Sequence, residues 1–145
     1  MTKSTGPMTA SGQSAAWPAR RTRALAVVSA AAVTLIVWAI AGPLAGVNLQ
    51  VQAGTATARH VGPALVAIAA LLAGLAGWAL LAAMMRFTPR ARVIWTVTAL
   101  VVLAVSLAGP LAGGVTTAAK LTLAAMHLAA AAVLIPALGG SAGRR

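Results

Sequence analysis

The sequence contains no aspartate, no glutamate, no cysteine and no tyrosine, and only one phenylalanine. Without carboxylates it offers no hard-oxygen site for calcium or magnesium, no acid–base pair for hydrolysis and no partner for an internal salt bridge. Without cysteine there is no disulfide framework and no thiolate nucleophile or metal ligand. Soluble domains draw about a quarter of their residues from charges of both signs. Here 8% are charged, all cationic, and the formal net charge is +11.

What is present is hydrocarbon: 61% of the 145 residues are hydrophobic. Apolar runs long enough to cross about 30 Å of bilayer core at about 1.5 Å per residue fall near residues 24–44, 63–85, 93–113 and 120–138. They are rich in Ala and Leu and lack period-two alternation, so the backbone satisfies itself as helix rather than as barrel strand. The expected fold class is an all-α four-helix transmembrane bundle spanning residues 20–140. A disordered cytoplasmic tail over 1–19, rich in small and polar residues, precedes it, and a basic tail over 141–145 follows.

The cations flank the apolar runs instead of covering a polar face, which turns the reading away from nucleic acid and towards anionic lipid headgroups. Lys3, Arg20, Arg21, Arg23, Arg86, Arg90, Arg92, Arg144 and Arg145 fall on one side of a four-span chain, with Arg59 and Lys120 on the other. The positive-inside rule therefore places both termini in the cytoplasm of a plasma-membrane protein. Trp17, Trp78 and Trp95 are expected at the same interface. Arg20, Arg21, Arg23, Arg86, Arg90 and Arg92 are the expected headgroup contacts. A rival reading takes Met1 to Ala41 as a cleaved secretory signal ending at Ala39-Ile40-Ala41. It is disfavoured because the apolar stretch exceeds the length of such signals.

The loop after the first span alternates apolar and polar residues through Val47-Asn48-Leu49-Gln50-Val51-Gln52, turns at Ala53-Gly54 and returns to Val61. Two readings stand: a short extracellular β-ribbon with one face on the bundle, or an irregular loop. The segment Ala41-Gly42-Pro43-Leu44-Ala45-Gly46 recurs 67 residues later as Ala108-Gly109-Pro110-Leu111-Ala112-Gly113, and the same spacing pairs Arg23 with Arg90 and His60 with His127. This suggests two helix pairs in parallel repeat. Gly42, Gly46, Gly74, Gly77, Gly109 and Gly113 are candidate helix-packing positions, where small residues let backbones approach. Bundle packing is the first reading of these faces, and a homodimer or a partner membrane protein is the sharper one.

One ionisable side chain, His127, lies well inside a span. It is either a functional site (proton relay, ligand contact or haem ligand) or a histidine hydrogen-bonded to a neighbouring helix. A bis-histidine haem would need His60 close by. Ser29 and Ser106 stand in no nucleophile elbow and are expected to bond backbone carbonyls. No catalytic, cofactor or metal constellation follows. An enzyme is not expected, no cofactor is expected, and a proton-coupled exporter lacks its carboxylate. The reading is a structural or interaction protein, with a small transporter or channel-like subunit built on His127 as the alternative.

Several of these residues together resemble a family. They are Arg20 to Arg23, Val37-Trp38-Ala39 with Gly42-Pro43-Leu44, Gly46-Val47-Asn48-Leu49, Val61-Gly62-Pro63, Gly74-Leu75-Ala76-Gly77-Trp78, Ile94-Trp95, and His127 with Ile135-Pro136. The set is similar to the uncharacterised four-span membrane proteins common in actinobacteria, some loosely labelled as cell-envelope proteins. The resemblance covers about residues 20–140 and implies a fold and a membrane location, with no activity.

Overall fold

The computed structural model describes residues 19–52 and 54–142. The expected 1–18 part of the tail, Lys3, Trp17, Arg144 and Arg145 lie outside them. The described chain forms α1 (Ala19–Ala39), which continues as a π-helical turn (Ile40–Leu44), then strands β1 (Gln50–Val51) and β2 (Arg59–His60). Helices α2 (Pro63–Phe87), α3 (Ala91–Ser106), α4 (Ala108–Gly113) and α5 (Thr117–Ser141) follow. Ala19 is already helical, so the first span begins five residues earlier than the apolar run suggested, and the last runs three residues past Leu138. Ala19–Leu44, Pro63–Phe87, Ala91–Gly113 and Thr117–Ser141 are each long and apolar enough to cross a membrane.

The exposed side chains agree with that environment. Val93, Val97, Leu100, Val101 and Val105 of α3 are all more than half exposed, and their spacing draws one stripe down the helix. A stripe of that kind invites association in water, but against lipid tails it costs nothing. This is the outer surface of a multi-pass membrane protein.

The chain runs up and down four times. Thr88 to Arg90 link α2 to α3 in a tight turn, with the Thr88 hydroxyl accepting from the Arg90 N–H at 3.2 Å. Pro63 occupies the first turn of α2, where its missing N–H is harmless. Thr116 caps α5, accepting from the Ala119 N–H at 3.1 Å. Helix α1 is central and packs along α5 and α2, whereas α3 rests mainly on α5 and touches α2 less.

Both copies of the repeated hexapeptide disturb their helix four residues before the proline. A proline inside a helix donates no hydrogen bond, and its ring crowds the carbonyl four residues back. For Pro43 that carbonyl is Ala39, and the helix widens into the π turn starting at Ile40. For Pro110 it is Ser106, and α3 ends there, with α4 resuming at Ala108. After Pro43 the chain closes through Val47 N–H to the Ala41 carbonyl at 2.9 Å and Gly46 N–H to Gly42 at 2.8 Å. Gly46 takes φ +68°, a left-handed conformation that glycine adopts without cost.

The likeness shown by the two hexapeptide copies is the proline break that each makes in its helix. It stops at the paired histidines: His60 stands in β2 and His127 in α5.

The loop forms the ribbon. Gln50 pairs with His60 and Val51 with Arg59, antiparallel. The ribbon also has a third member not foreseen: Gln52 N–H donates to the Gly113 carbonyl at 2.8 Å and Val115 N–H to Gln50 at 3.2 Å. The turn between α4 and α5 thereby becomes an edge for β1. Beneath the ribbon, Leu49, Val61, Val66, Ala119, Leu123 and Met126 form one buried cluster. A second cluster of Ala26, Leu81, Trp95 and Leu138 lies towards the opposite, arginine-rich end.

Gly74 lets α2 come close to α1, since a Cβ there would lie 2.8 Å from Val27 Cγ1. Val27 is β-branched and held in one rotamer on a helix, so it has no room to yield. Gly74→Ala is expected to destabilise the bundle by about 1–3 kcal/mol, with recovery in Gly74→Ala/Val27→Ala and no effect from Gly109→Ala, whose site is open. Thermal unfolding in detergent checks this, and equal melting of Gly74→Ala and the parent would contradict it.

Candidate functional site

The arginine-rich end is tied together by Arg23. Its Nε donates to Ser141 Oγ at 2.9 Å, and Nη2 reaches the Ser141 carbonyl and Met85 Sδ, each at 3.4 Å. One guanidinium thus joins the start of α1 to the ends of α2 and α5. It is 8% exposed, which corrects the expectation that Arg23 is a headgroup contact: a hydroxyl, a carbonyl and a thioether answer it inside the protein. Arg20, Arg21, Arg86, Arg90 and Arg92 are exposed at this end.

Trp95 is likewise a core residue, 4% exposed, and not an interfacial indole. Its Nε1 donates to the Ile135 carbonyl at 3.2 Å, and Gly77 and Gly139 lie against its ring. Trp78 is half-buried beside the same cluster. At the ribbon end, Trp38 Nε1 donates to the Val61 carbonyl at 2.8 Å, fastening α1 to the segment that leads into α2.

The six candidate packing glycines divide by surroundings. Gly74 and Gly77 meet side chains of other helices. Gly42 makes an ordinary approach to Leu49, and a Cβ at Gly113 would lie 3.3 Å from the Gln52 carbonyl. Gly46 and Gly109 have nothing within 4 Å of a Cβ, so neither packs helices within the chain. Gly114 was missed: a Cβ there would overlap Lys120 Cγ at 2.5 Å, because the lysine stem lies across the turn.

His127 sits in the middle of α5. Its Nδ1 is 2.8 Å from the Leu123 carbonyl, one turn back in the same helix, not on a neighbouring helix as expected. A carbonyl only accepts, so Nδ1 is the donor, and in the neutral ring Nε2 is left as an acceptor. His127 lines two cavities. One, of about 380 Å³, lies beneath the ribbon with Val51, Gln52, Arg59, Pro110 and Leu123. The other, of about 460 Å³, is a cleft between α2, α3 and α5 bordered by Ala73, Gly77, Val102, Ser106, Ala131 and Leu134. His60 lines a third, beside Trp38, Gly46 and Asn48. Arg59 and His60 are successive residues of one strand and point to opposite faces. The two histidines therefore do not share a cavity, and the geometry brings no pair of imidazoles to one site. No group of three His, Cys, Asp or Glu gathers among the described residues.

Ser106 Oγ donates to the Leu103 carbonyl at 2.8 Å and Thr34 Oγ1 to Ala30 and Ala31, both at 2.9 Å. Among the described residues no buried side-chain nitrogen or oxygen is left without a partner.

Removing a partner from a buried cation costs more than removing the cation with it. Ser141→Ala is expected to lower stability by about 1–3 kcal/mol, and Arg23→Met by less, because Ser141 Oγ keeps its 2.7 Å bond to the Leu138 carbonyl. Denaturant unfolding of both variants in detergent tests the order, and a larger loss in Arg23→Met would refute it.

No curated protein and no solved structure matches the chain. One family does, over residues 14–144, and it is described as a family of unknown function. That match covers the whole bundle, and the chain accordingly belongs to the DUF6069 family.

Proposed function

We propose that this chain is a small structural and interaction protein of the plasma membrane and cell envelope, with both termini cytoplasmic and no chemistry of its own. The observation that carries the reading is how the intramembrane polar groups are used. Ser106, Thr34 and His127 each bond a carbonyl of their own helix, and Arg23 is spent on joining three helices. The sequence holds no Asp or Glu that could orient His127 or activate a hydroxyl. Both ends of the bundle are fastened, by Arg23 at one and by Trp38 with the ribbon at the other, as befits a scaffold rather than a gate. The exposed arginines at one end supply attraction to anionic headgroups, each worth about 1 kcal/mol.

A second reading, a small transporter or channel-like subunit, draws on His127, which borders both the ribbon cavity and the interhelical cleft. Native mass spectrometry of the protein released in a mild detergent separates the two. A homodimer or a bound partner chain is expected under the first reading. A monomer whose transport in vesicles is abolished by His127→Ala would replace it with the second.

The cysteine-free background makes the orientation directly testable. Thr55→Cys is expected to react with a membrane-impermeant maleimide in intact cells, and Thr88→Cys only after permeabilisation. The reverse pattern would invert the topology.

A further inference from the structure

His127 carries a polar atom that the fold leaves without a partner. Nδ1 donates to the Leu123 carbonyl, so in the neutral ring Nε2 holds a lone pair and no proton. Among the described residues nothing donates to Nε2. No buried side-chain nitrogen or oxygen is left unpartnered among them, so Nε2 is an open atom and not a sealed one. His127 lies near the middle of the 25-residue α5, roughly 15 Å from the start of that helix. At that depth no water stands ready to serve the lone pair, and lipid tails and ester carbonyls hold no hydrogen-bond donor.

The cleft between α2, α3 and α5 gives that lone pair a setting. Its volume of about 460 Å³ falls within the range of about 300–1,000 Å³ usual for bound small molecules, whose sites are apolar with a few polar groups that fix orientation. Besides His127 its polar side chains are Trp95, Ser106 and Thr98. Trp95 spends its proton on the Ile135 carbonyl and Ser106 on that of Leu103, which leaves Ser106 Oγ as an acceptor. The Thr98 hydroxyl makes no bond among the described residues. Counted along antiparallel helices from the Trp95–Ile135 contact, His127 stands about 12 Å up α5 and Ser106 about 16 Å up α3, within one turn of each other, while Thr98 is only about 5 Å from the Trp95 level. Two acceptors therefore gather towards the ribbon end, and an apolar length runs from them to Trp95.

We infer that this cleft binds one apolar alcohol, whose hydroxyl donates to His127 Nε2 and whose hydrocarbon body lies along α3 towards Trp95. The hydrogen-bond inventory selects the class. An anion or a carbonyl compound brings acceptors to acceptors at the His127 end. An ammonium brings donors together with a charge for which the sequence has no Asp or Glu. A transmembrane helix uses its backbone N–H groups internally and offers none to the ring. A hydroxyl brings one neutral donor, and in hydrocarbon both it and Nε2 lose free energy when left unmet. The site goes beyond the scaffold reading and stands independently of it.

The chain has two histidines, so NMR of the histidine ring nitrogens in isotope-labelled protein reads the site directly, with His60→Gln assigning the two rings. The protein is held in phosphatidylcholine nanodiscs, which supply no donor, and titrated with dodecanol or with dodecyl methyl ether, which differs in lacking the hydroxyl proton. The ligand-free protein is expected to show His127 with Nδ1 protonated and Nε2 bare. Dodecanol should move the Nε2 resonance to saturation at one molecule per chain, and the ether should act at about tenfold higher concentration or not at all. Ala131→Phe, which fills the cleft, should abolish the response, and Ala56→Phe, which fills the ribbon cavity instead, should leave it. Leu80→Trp, also lining the cleft, gives the same reading if Ala131→Phe does not fold. A protonated Nε2 in the ligand-free protein, no response to dodecanol, an equal response to the ether, or a response that survives in a folded cleft-filling variant overturns the inference. So does a ligand-free Nε2 resonance that moves as the protein is diluted in lipid, which would give the cleft to a second copy of the chain.

Discussion

Inside a bilayer no water stands ready to hydrogen-bond an exposed amide or hydroxyl, so each polar group must be satisfied by the protein itself. In this bundle the obligation is met at the shortest range available. Thr34, Ser106 and His127 bond carbonyls three or four residues back in their own helices, which silences the side chain without tying one helix to another. Association between helices is left to three donors that reach across: Arg23 to Ser141, Trp38 to Val61 and Trp95 to Ile135. The rest is close packing at small residues such as Gly74 and Gly77. A few cross-links and much smooth surface is an economical way to hold four helices in lipid, where burial of apolar area gives no drive.

The two prolines of the repeated hexapeptide are where that obligation is broken and repaired. Each leaves a carbonyl without its donor, and each break falls towards the ribbon end of its helix. There the freed chain finds other partners: the wide closure around Gly46 after the first copy, and the pairing of Gly113 and Val115 with β1 after the second. The ribbon is thus a consequence of the helix ends. It pairs with Gly113 and Val115 just beyond the second break, and its apolar face supplies Leu49 and Val61 as a lid on one hydrophobic cluster. With the ends closed in this way, the looser seam between α2 and α3 remains as the cleft.

Much of this was legible in the sequence because hydrocarbon thickness is a ruler. Apolar run length places the spans to within five residues, and the alternation from Val47 to Gln52 offers the ribbon as one of two readings, which the structure decides. What escaped depends on neighbours in space. Arg23 looks in sequence like Arg20 and Arg21, but a helix turns about 100° per residue, so three positions in one basic run face different surroundings and one of them meets Ser141. Trp95 was placed at an interface because indoles favour it, and the facing Gly77 and Gly139 that admit its ring lie on two other helices. The His127 bond could have been foreseen, since Leu123 is one turn away. The edge that Gly113 and Val115 give to the ribbon could not, because it joins segments about sixty residues apart.

The missing carboxylates shape the chain more than any residue it contains. In a protein with acids, a buried arginine is answered by a carboxylate and an exposed one can be neutralised by a neighbour. Here Arg23 is answered by a hydroxyl, a carbonyl and a sulfur, a neutral set that leaves its charge in place. The exposed cations must find their counter-ions outside the protein. At the arginine-rich end these sit on an open rim where any anionic headgroup serves. Arg59 stands apart from that rim, presented on β2 at the ribbon end by its pairing with Val51, and with no Asp or Glu in the sequence no rearrangement of the fold can supply its counter-ion from an acidic side chain.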